Sequence, residues 1–176
     1  ILGAIGPGKD LVVDYLENKK VENAIINLNQ VAENMYFYEN SPIVALNTIE
    51  KSLSLDSENM NTIYLKTFIE SMLSVELIKN LDRPYNEKEL LDAQTALSNA
   101  DFILESKEEE YFGKAYLIKA QTYFALNENN KALANIQKAI DYDPNEIFYK
   151  IRKATILIES KRYKDAEKIL NELEKT

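Results

Sequence analysis

The chain has 176 residues, a formal net charge of −8, 45% apolar residues, four Gly and four Pro, and neither Cys nor His. That length supports a domain with a buried core, and so few Gly and Pro exclude the turn-rich β architectures. The lack of Cys and His removes disulfides, thiolate metal sites and imidazole bases, and a negative body without a Lys/Arg run excludes nucleic acid as the expected partner.

Residues 1–8, ILGAIGPG, hold three of the four Gly and read as a linker. A short N-terminal helix is predicted over 9–20, with Leu11, Val12, Tyr15 and Leu16 on one side. Val21, Ala24, Ile25, Leu28, Val31, Ala32, Met35 and Tyr36 then recur at helical spacing up to Asn40-Ser41-Pro42. Ser41 as cap and Pro42 as first helical residue open the next helix, which carries Ala45, Ile49, Ser52 and Leu53 to Leu55. A long helix is predicted over 60–81, ended by Pro84. Asn86 and Glu89 form a capping-box pattern for a helix over 87–105. Two hairpins follow, 108–125 with 131–140 and 145–159 with 162–174, making nine helices and no strand. No stretch approaches the roughly 20 apolar residues of a membrane-spanning helix.

The chain repeats itself. Ala120 and Ala154, Ala132 and Ala166, and Ile136 and Leu170 are each 34 residues apart, the period of stacked helical hairpins. Small residues on facing helices let two axes approach closely while large neighbours interlock. The segment Ala115–Asn145 resembles the tetratricopeptide repeat: Tyr116, Ala120, Tyr123, Ala132, Ile136, Ala139 and Pro144 fall on that family's aromatic, small, aromatic, small, large, small and turn positions. Residues 147–176 keep Ala154, Ala166 and Leu170 but have Leu157 at an aromatic position, and Ala45–Asn59 mirrors Ala132–Asn145 with Ser57 for the turn Pro.

The resemblance implies an all-α, right-handed α-solenoid of antiparallel helical hairpins. It would form a single domain over 9–176, with hairpins at 21–59, 60–107, 108–145 and 146–176. The 60–107 hairpin would be lengthened by about three turns relative to the family. The resemblance also implies a non-catalytic scaffold that binds a protein or peptide segment in a concave groove lined by the first helix of each hairpin, with no cofactor. Carried over by position, the groove residues are Asn27, Gln30, Asn34, Phe37 and Tyr38, then Lys114, Leu117, Gln121 and Phe124, then Phe148, Ile151, Arg152 and Thr155. Family members that clamp a terminal carboxylate use Lys, Asn and Arg. Asn34 and Arg152 suit that role, but Gln30 and Phe148 replace the lysines, so an extended segment or a helix suits this groove better.

Other motifs fail at specific residues. Gly3 to Lys9 fits the phosphate-loop pattern, yet Asp10 stands where a Ser or Thr should bind magnesium, and no parallel sheet follows. Asp141, Asp143 and Asn145 alternate as in a calcium loop, but Glu146 and Arg152 occupy its Gly and bidentate Glu positions; a turn with Pro144 opening the next helix accounts for them. Glu108, Glu109 and Glu110 stand at a helix start, where acids favour the dipole.

Two further readings stand beside the scaffold: a self-associating structural protein, because Ile169, Leu170 and Leu173 end the array without a polar cap, and the interaction domain of a longer enzyme. A start at Ile1 and the lack of Cys lean towards the cell envelope or a membrane-anchored protein, with the cytoplasm otherwise.

Overall fold

The computed structural model describes residues 7–78, 84–106 and 108–174. Among these are eight α-helices and no strand: α1 (Pro7–Phe37), α2 (Pro42–Leu55), α3 (Met60–Ile78), α4 (Glu87–Leu104), α5 (Phe112–Ala125), α6 (Asn129–Tyr142), α7 (Ile147–Glu159) and α8 (Tyr163–Leu173). One 3-10 turn, Glu109–Tyr111, precedes α5. The fold is all-α and built from antiparallel hairpins. Where the sequence predicts one domain over 9–176, packing groups the chain into two compact units, Ile1–Ile69 and Glu70–Thr176.

In the first unit, α1 is a single helix of 31 residues, so the predicted segments 9–20 and 21–39 are one element and the count falls from nine to eight. Asn18-Lys19-Lys20 interrupts the apolar stripe but contains no Gly, Pro or capping geometry, and Lys is a good helix former. Pro7 and Gly8, expected in a linker, belong to the first turn of this helix, where Pro lacks only an N–H that has no intrahelical partner. Residues 1–6 of that linker lie outside the described residues.

α1 packs on α2, with Ile25 and Ala32 buried on one helix and Ala45 and Ile49 on the other. Ser41 holds the N-cap position of α2, but its hydroxyl donates to the Glu39 carbonyl instead of capping the helix. α3 is tied in through a polar knot. The buried Thr62 hydroxyl donates to Asn59 Oδ1 at 2.9 Å and lies 3.0 Å from Asn29 Nδ2, from which it accepts, and 3.2 Å from Ser52 Oγ. Asn59 Oδ1 also accepts from the Thr62 amide at 3.1 Å and so caps the start of α3. Next to the knot, Phe68 stacks on Phe37 and meets Tyr36 edge-on, both at 5.6 Å.

In the second unit, Ala120, Ala132, Ile136 and Ala139 have no exposed surface in the α5–α6 hairpin, and Ala154 and Ala166 repeat the pattern in α7–α8. The turns copy one another bond for bond. Asn127 has φ 60° and Lys161 φ 61°; the Asn127 and Glu128 amides donate to Phe124 and Tyr123, and the Lys161 and Arg162 amides donate to Ile158 and Leu157. A second kind of turn also recurs in both units. Asp56 and Asp143 each accept from the amide two residues on, Glu58 and Asn145, in the turns after α2 and α6.

The predicted capping box is complete: Asn86 Oδ1 accepts from the Glu89 amide at 2.9 Å and Glu89 Oε2 from the Asn86 amide at 2.8 Å. α4 packs on α5, helped by Lys119 and Asp101 at 2.5 Å. The Tyr85 hydroxyl donates to the Ala125 carbonyl at 2.6 Å and accepts from Asn127 Nδ2 at 2.9 Å, which clasps the α5–α6 turn. The sequence predicts that Pro144 opens α7; instead Pro144 lies in the turn before it. Glu146 is the N-cap, its carboxylate accepting from the Phe148 amide at 3.0 Å.

Two stability measurements follow from these contacts. Thr62→Val removes the hub of the knot and leaves buried amide and hydroxyl groups short of partners, so urea denaturation should show a loss of about 1–3 kcal/mol; no loss relative to Ser54→Ala, on the exposed side of α2, would show the knot to be irrelevant. Lys161 holds a left-handed conformation that a side chain disfavours, so Lys161→Gly should stabilise the chain by about 0.5–1 kcal/mol, read as a raised urea midpoint.

Candidate functional site

The predicted groove residues do not share one environment. In the first unit Asn27, Gln30, Asn34 and Tyr38 are exposed on or just past α1, while Phe37 is half-buried in the ring cluster with Phe68. Gln30 Nε2 approaches Asn34 Oδ1 at 3.4 Å, so the amides form a loose polar strip. In the second unit Leu117, Gln121 and Phe124 are buried, and a partner could not reach them without unpacking α5. Lys114, Phe148, Arg152 and Thr155 are half-buried and Ile151 is exposed. The Lys114 ammonium lies 5.1 Å from the Tyr111 ring and the Arg152 guanidinium 4.6 Å from the Phe148 ring, cation–π pairs that fix both side chains.

The α1–α2 turn explains the difference. It spans residues 38–41, four residues, against three in 126–128 and three in 160–162. Ala32 and Ala45 are accordingly 13 apart, where Ala120 and Ala132 are 12 apart. Counting straight through the turn therefore misplaces α1 by one residue, a rotation of about 100° on a helix. The structural counterparts of Leu117 and Phe124 are Asn29 and Tyr36, and both meet α3, the first helix of the next hairpin, through Thr62 and Phe68. Position 113 behaves alike: a Cβ on Gly113 would stand 3.1 Å from the Tyr149 hydroxyl of α7. Asn29 and Tyr36 thus face α3 and Gly113 faces α7, while Leu117 and Phe124 are buried. No periodicity in the sequence reports these contacts, and the one-residue insertion is visible only as the altered Ala32–Ala45 spacing.

Asn27, Gln30 and Asn34 then correspond to Ala115, Ile118 and Thr122, which are fully buried in α5. Polar amides in α1 replace apolar or back-bonded residues in an interior helix, so this side of α1 is built to remain wet.

The remaining candidates for chemistry have structural duties. Pro7, Gly8 and Lys9 are helical, unlike a phosphate-binding loop, and residues 3–6 of that motif lie outside the described residues. Asp143 accepts from the Asn145 amide and Asp141 from Gln137, and among the described residues no group of His, Cys, Asp and Glu can hold a metal ion. Glu108, Glu109 and Glu110 are exposed at the 3-10 turn. The Glu128 carboxylate bonds the Lys131 ammonium and raises its pKa above the ordinary lysine value, a pairing at the start of α6. A cleft of about 520 Å³ between α6, α7 and α8 has Leu157 and Ile169 among its apolar lining and Lys153, Arg162 and Lys168 as cations. Two of those cations are already engaged, Lys153 with Gln137 at 2.5 Å and Arg162 with Asp165 at 2.6 Å. Among the described residues no helix is long and apolar enough to cross a membrane.

Comparison with known proteins agrees with this geometry where it is most regular. The sequence profile described as tetratricopeptide repeat matches residues 113–146, which cover α5 from its second residue, α6 and the turns after each. No curated protein matches the chain. A solved structure described as "MamA RS-1 ArsTM double mutant" is similar at 14% identity and a TM-score of 0.37, over 86% of this chain and 93% of that one. The repeat supports a protein-interaction role in general. With the profile match at 113–146, the α5–α6 hairpin is a tetratricopeptide repeat, and the α7–α8 hairpin keeps its alanine spacing and turn.

Proposed function

We propose that this protein is a non-catalytic scaffold that binds an extended protein segment along the exposed strip Asn27, Gln30, Asn34 and Tyr38 of the first unit. The observation that carries this reading is the exchange of buried Ala115, Ile118 and Thr122 in α5 for three exposed amides in α1. Each primary amide offers two donors and an acceptor, the complement of a peptide backbone that lacks a sheet partner. Tyr38 is among the most exposed large side chains and adds a rigid amphipathic ring at the end of the strip. Such a surface gives affinity through backbone bonds and selectivity through one or two side chains.

In the second unit, Lys114 and the Phe148–Arg152 pair supply a further contact region, with the cations pre-positioned over aromatic rings. Leu117, Gln121 and Phe124 have no part in it because they are buried.

The test is affinity capture from native lysate with the chain as bait, followed by titration of the purified partner against wild type and against a variant with Asn27→Ala, Asn34→Ala and Tyr38→Ala. All three positions are exposed, so circular dichroism and melting should be unchanged. The expected outcome is a loss of affinity of about tenfold or more in the variant. A partner that binds the folded variant as tightly as wild type would move the binding site off α1.

A further inference from the structure

One contact recurs in the second unit with its countercharge removed. The Lys119 ammonium of α5 meets the Asp101 carboxylate of α4 at 2.5 Å, and the Lys153 ammonium of α7, 34 residues on, meets Gln137 Oε1 of α6 at the same 2.5 Å. The buried residues give the correspondence: Ala96, Ala100 and Ile103 of α4 match Ala132, Ile136 and Ala139 of α6, each 36 residues on, which sets Gln137 at the place of Asp101. Gln137 Nε2 donates to Asp141 Oδ1 at 2.7 Å and so holds the amide oxygen towards Lys153. The amide keeps the hydrogen bond of the carboxylate but not its charge, and the bond uses one of the three ammonium donors.

Lys153 is half-buried and lines the cleft between α6, α7 and α8. One turn along α7, Leu157 stands where α5 has Tyr123, so a ring is absent beside the absent carboxylate. Arg162 is balanced by Asp165, and Lys153 and Lys168 stand against one further acid, Glu172, so the lining is net positive on a chain of −8. A second recess shares Gln137, Lys153 and Ile169 and continues past Ile140, which extends the apolar lining into a groove. A following hairpin does not close this side. Lys131, Ala134 and Lys138 of α6, at the places of Asp165, Lys168 and Glu172 on α8, are exposed although α7 packs on α6.

We infer that this cleft takes an acidic side chain of a partner protein with an apolar side chain next to it, the carboxylate on Lys153 and the apolar neighbour over Leu157 and Ile169. The partner thereby restores the two groups that Asp101 and Tyr123 provide within the chain one repeat earlier. A charge-assisted bond to a half-buried ammonium is screened less by water and salt than a bond between exposed ions. The cleft shares no residue with the amide strip of α1 or with the Phe148–Arg152 pair, so it does not depend on what those bind.

The experiment is titration of the whole chain with the blocked peptide acetyl-Phe-Glu-Leu-amide, read by NMR at the Leu157 and Ile169 methyl groups, with the Gln analogue of the peptide and 3-phenylpropionate as comparators. Wild type should saturate with the Glu peptide and bind the Gln analogue about tenfold more weakly. Gln137→Glu rebuilds within the chain the ion pair that Lys119 makes with Asp101, so it should keep the fold by circular dichroism and weaken the Glu peptide by a similar factor. Lys153→Met should bind the two peptides equally weakly. Absence of saturation, equal binding of the Glu and Gln peptides by wild type, or unchanged affinity of the folded Gln137→Glu variant would each overturn the inference. 3-Phenylpropionate binding as tightly as the Glu peptide would overturn it in favour of a small acid.

Discussion

The structure depends on how closely two helices can approach. Ala32 and Ala45, Ala120 and Ala132, and Ala154 and Ala166 are buried on paired helices, where short side chains let the axes approach closely. Close approach sets which turns can join the helices. Short left-handed turns at Asn127 and Lys161 reverse the chain within three residues, and the one at Asn40 does so within four. Small side chain, short turn and fixed crossing together make every hairpin present the same positions to the next, so burial becomes a property of the neighbour as much as of the residue.

That last point governs where surfaces for binding can exist. α5 is buried nearly all round because α4, α6 and the start of α7 approach it from different sides. α7 carries residues of the same register, yet its isoleucines are exposed. A position learned from an average repeat is therefore a poor guide to exposure at a particular repeat. Leu117 and Ile151 occupy the same register and could not differ more in what they can touch.

Much of the architecture was legible in the amino-acid pattern. The capping box at Asn86, the α2 start at Pro42, and the 34-residue spacing through α5–α8 follow from local chemistry, and local chemistry was enough. The failures have nameable causes. The break expected near residue 20 rested on an apolar stripe losing phase at Lys19-Lys20, but loss of phase ends burial and does not end a helix. Pro144 was expected to open α7, and the Glu146 carboxylate caps it two residues later. The groove positions on α1 slipped because one inserted turn residue rotates a helix without disturbing its periodicity. The Tyr85 bond to the Ala125 carbonyl joins residues 40 apart in sequence and leaves no local trace.

The exposed sides of α1 and α7 are also chemically unlike. Asn27, Gln30 and Asn34 would each bring unsatisfied amide groups into a dry contact, at a cost of about 1–3 kcal/mol apiece unless a partner bonds them. An apolar helix stacked there would supply no such bonds, whereas an extended backbone would. Ile147, Ile151 and Ile158 have the opposite requirement, because each gains from losing water and none needs a hydrogen bond. The first surface thus suits a partner that offers hydrogen bonds and the second an apolar one.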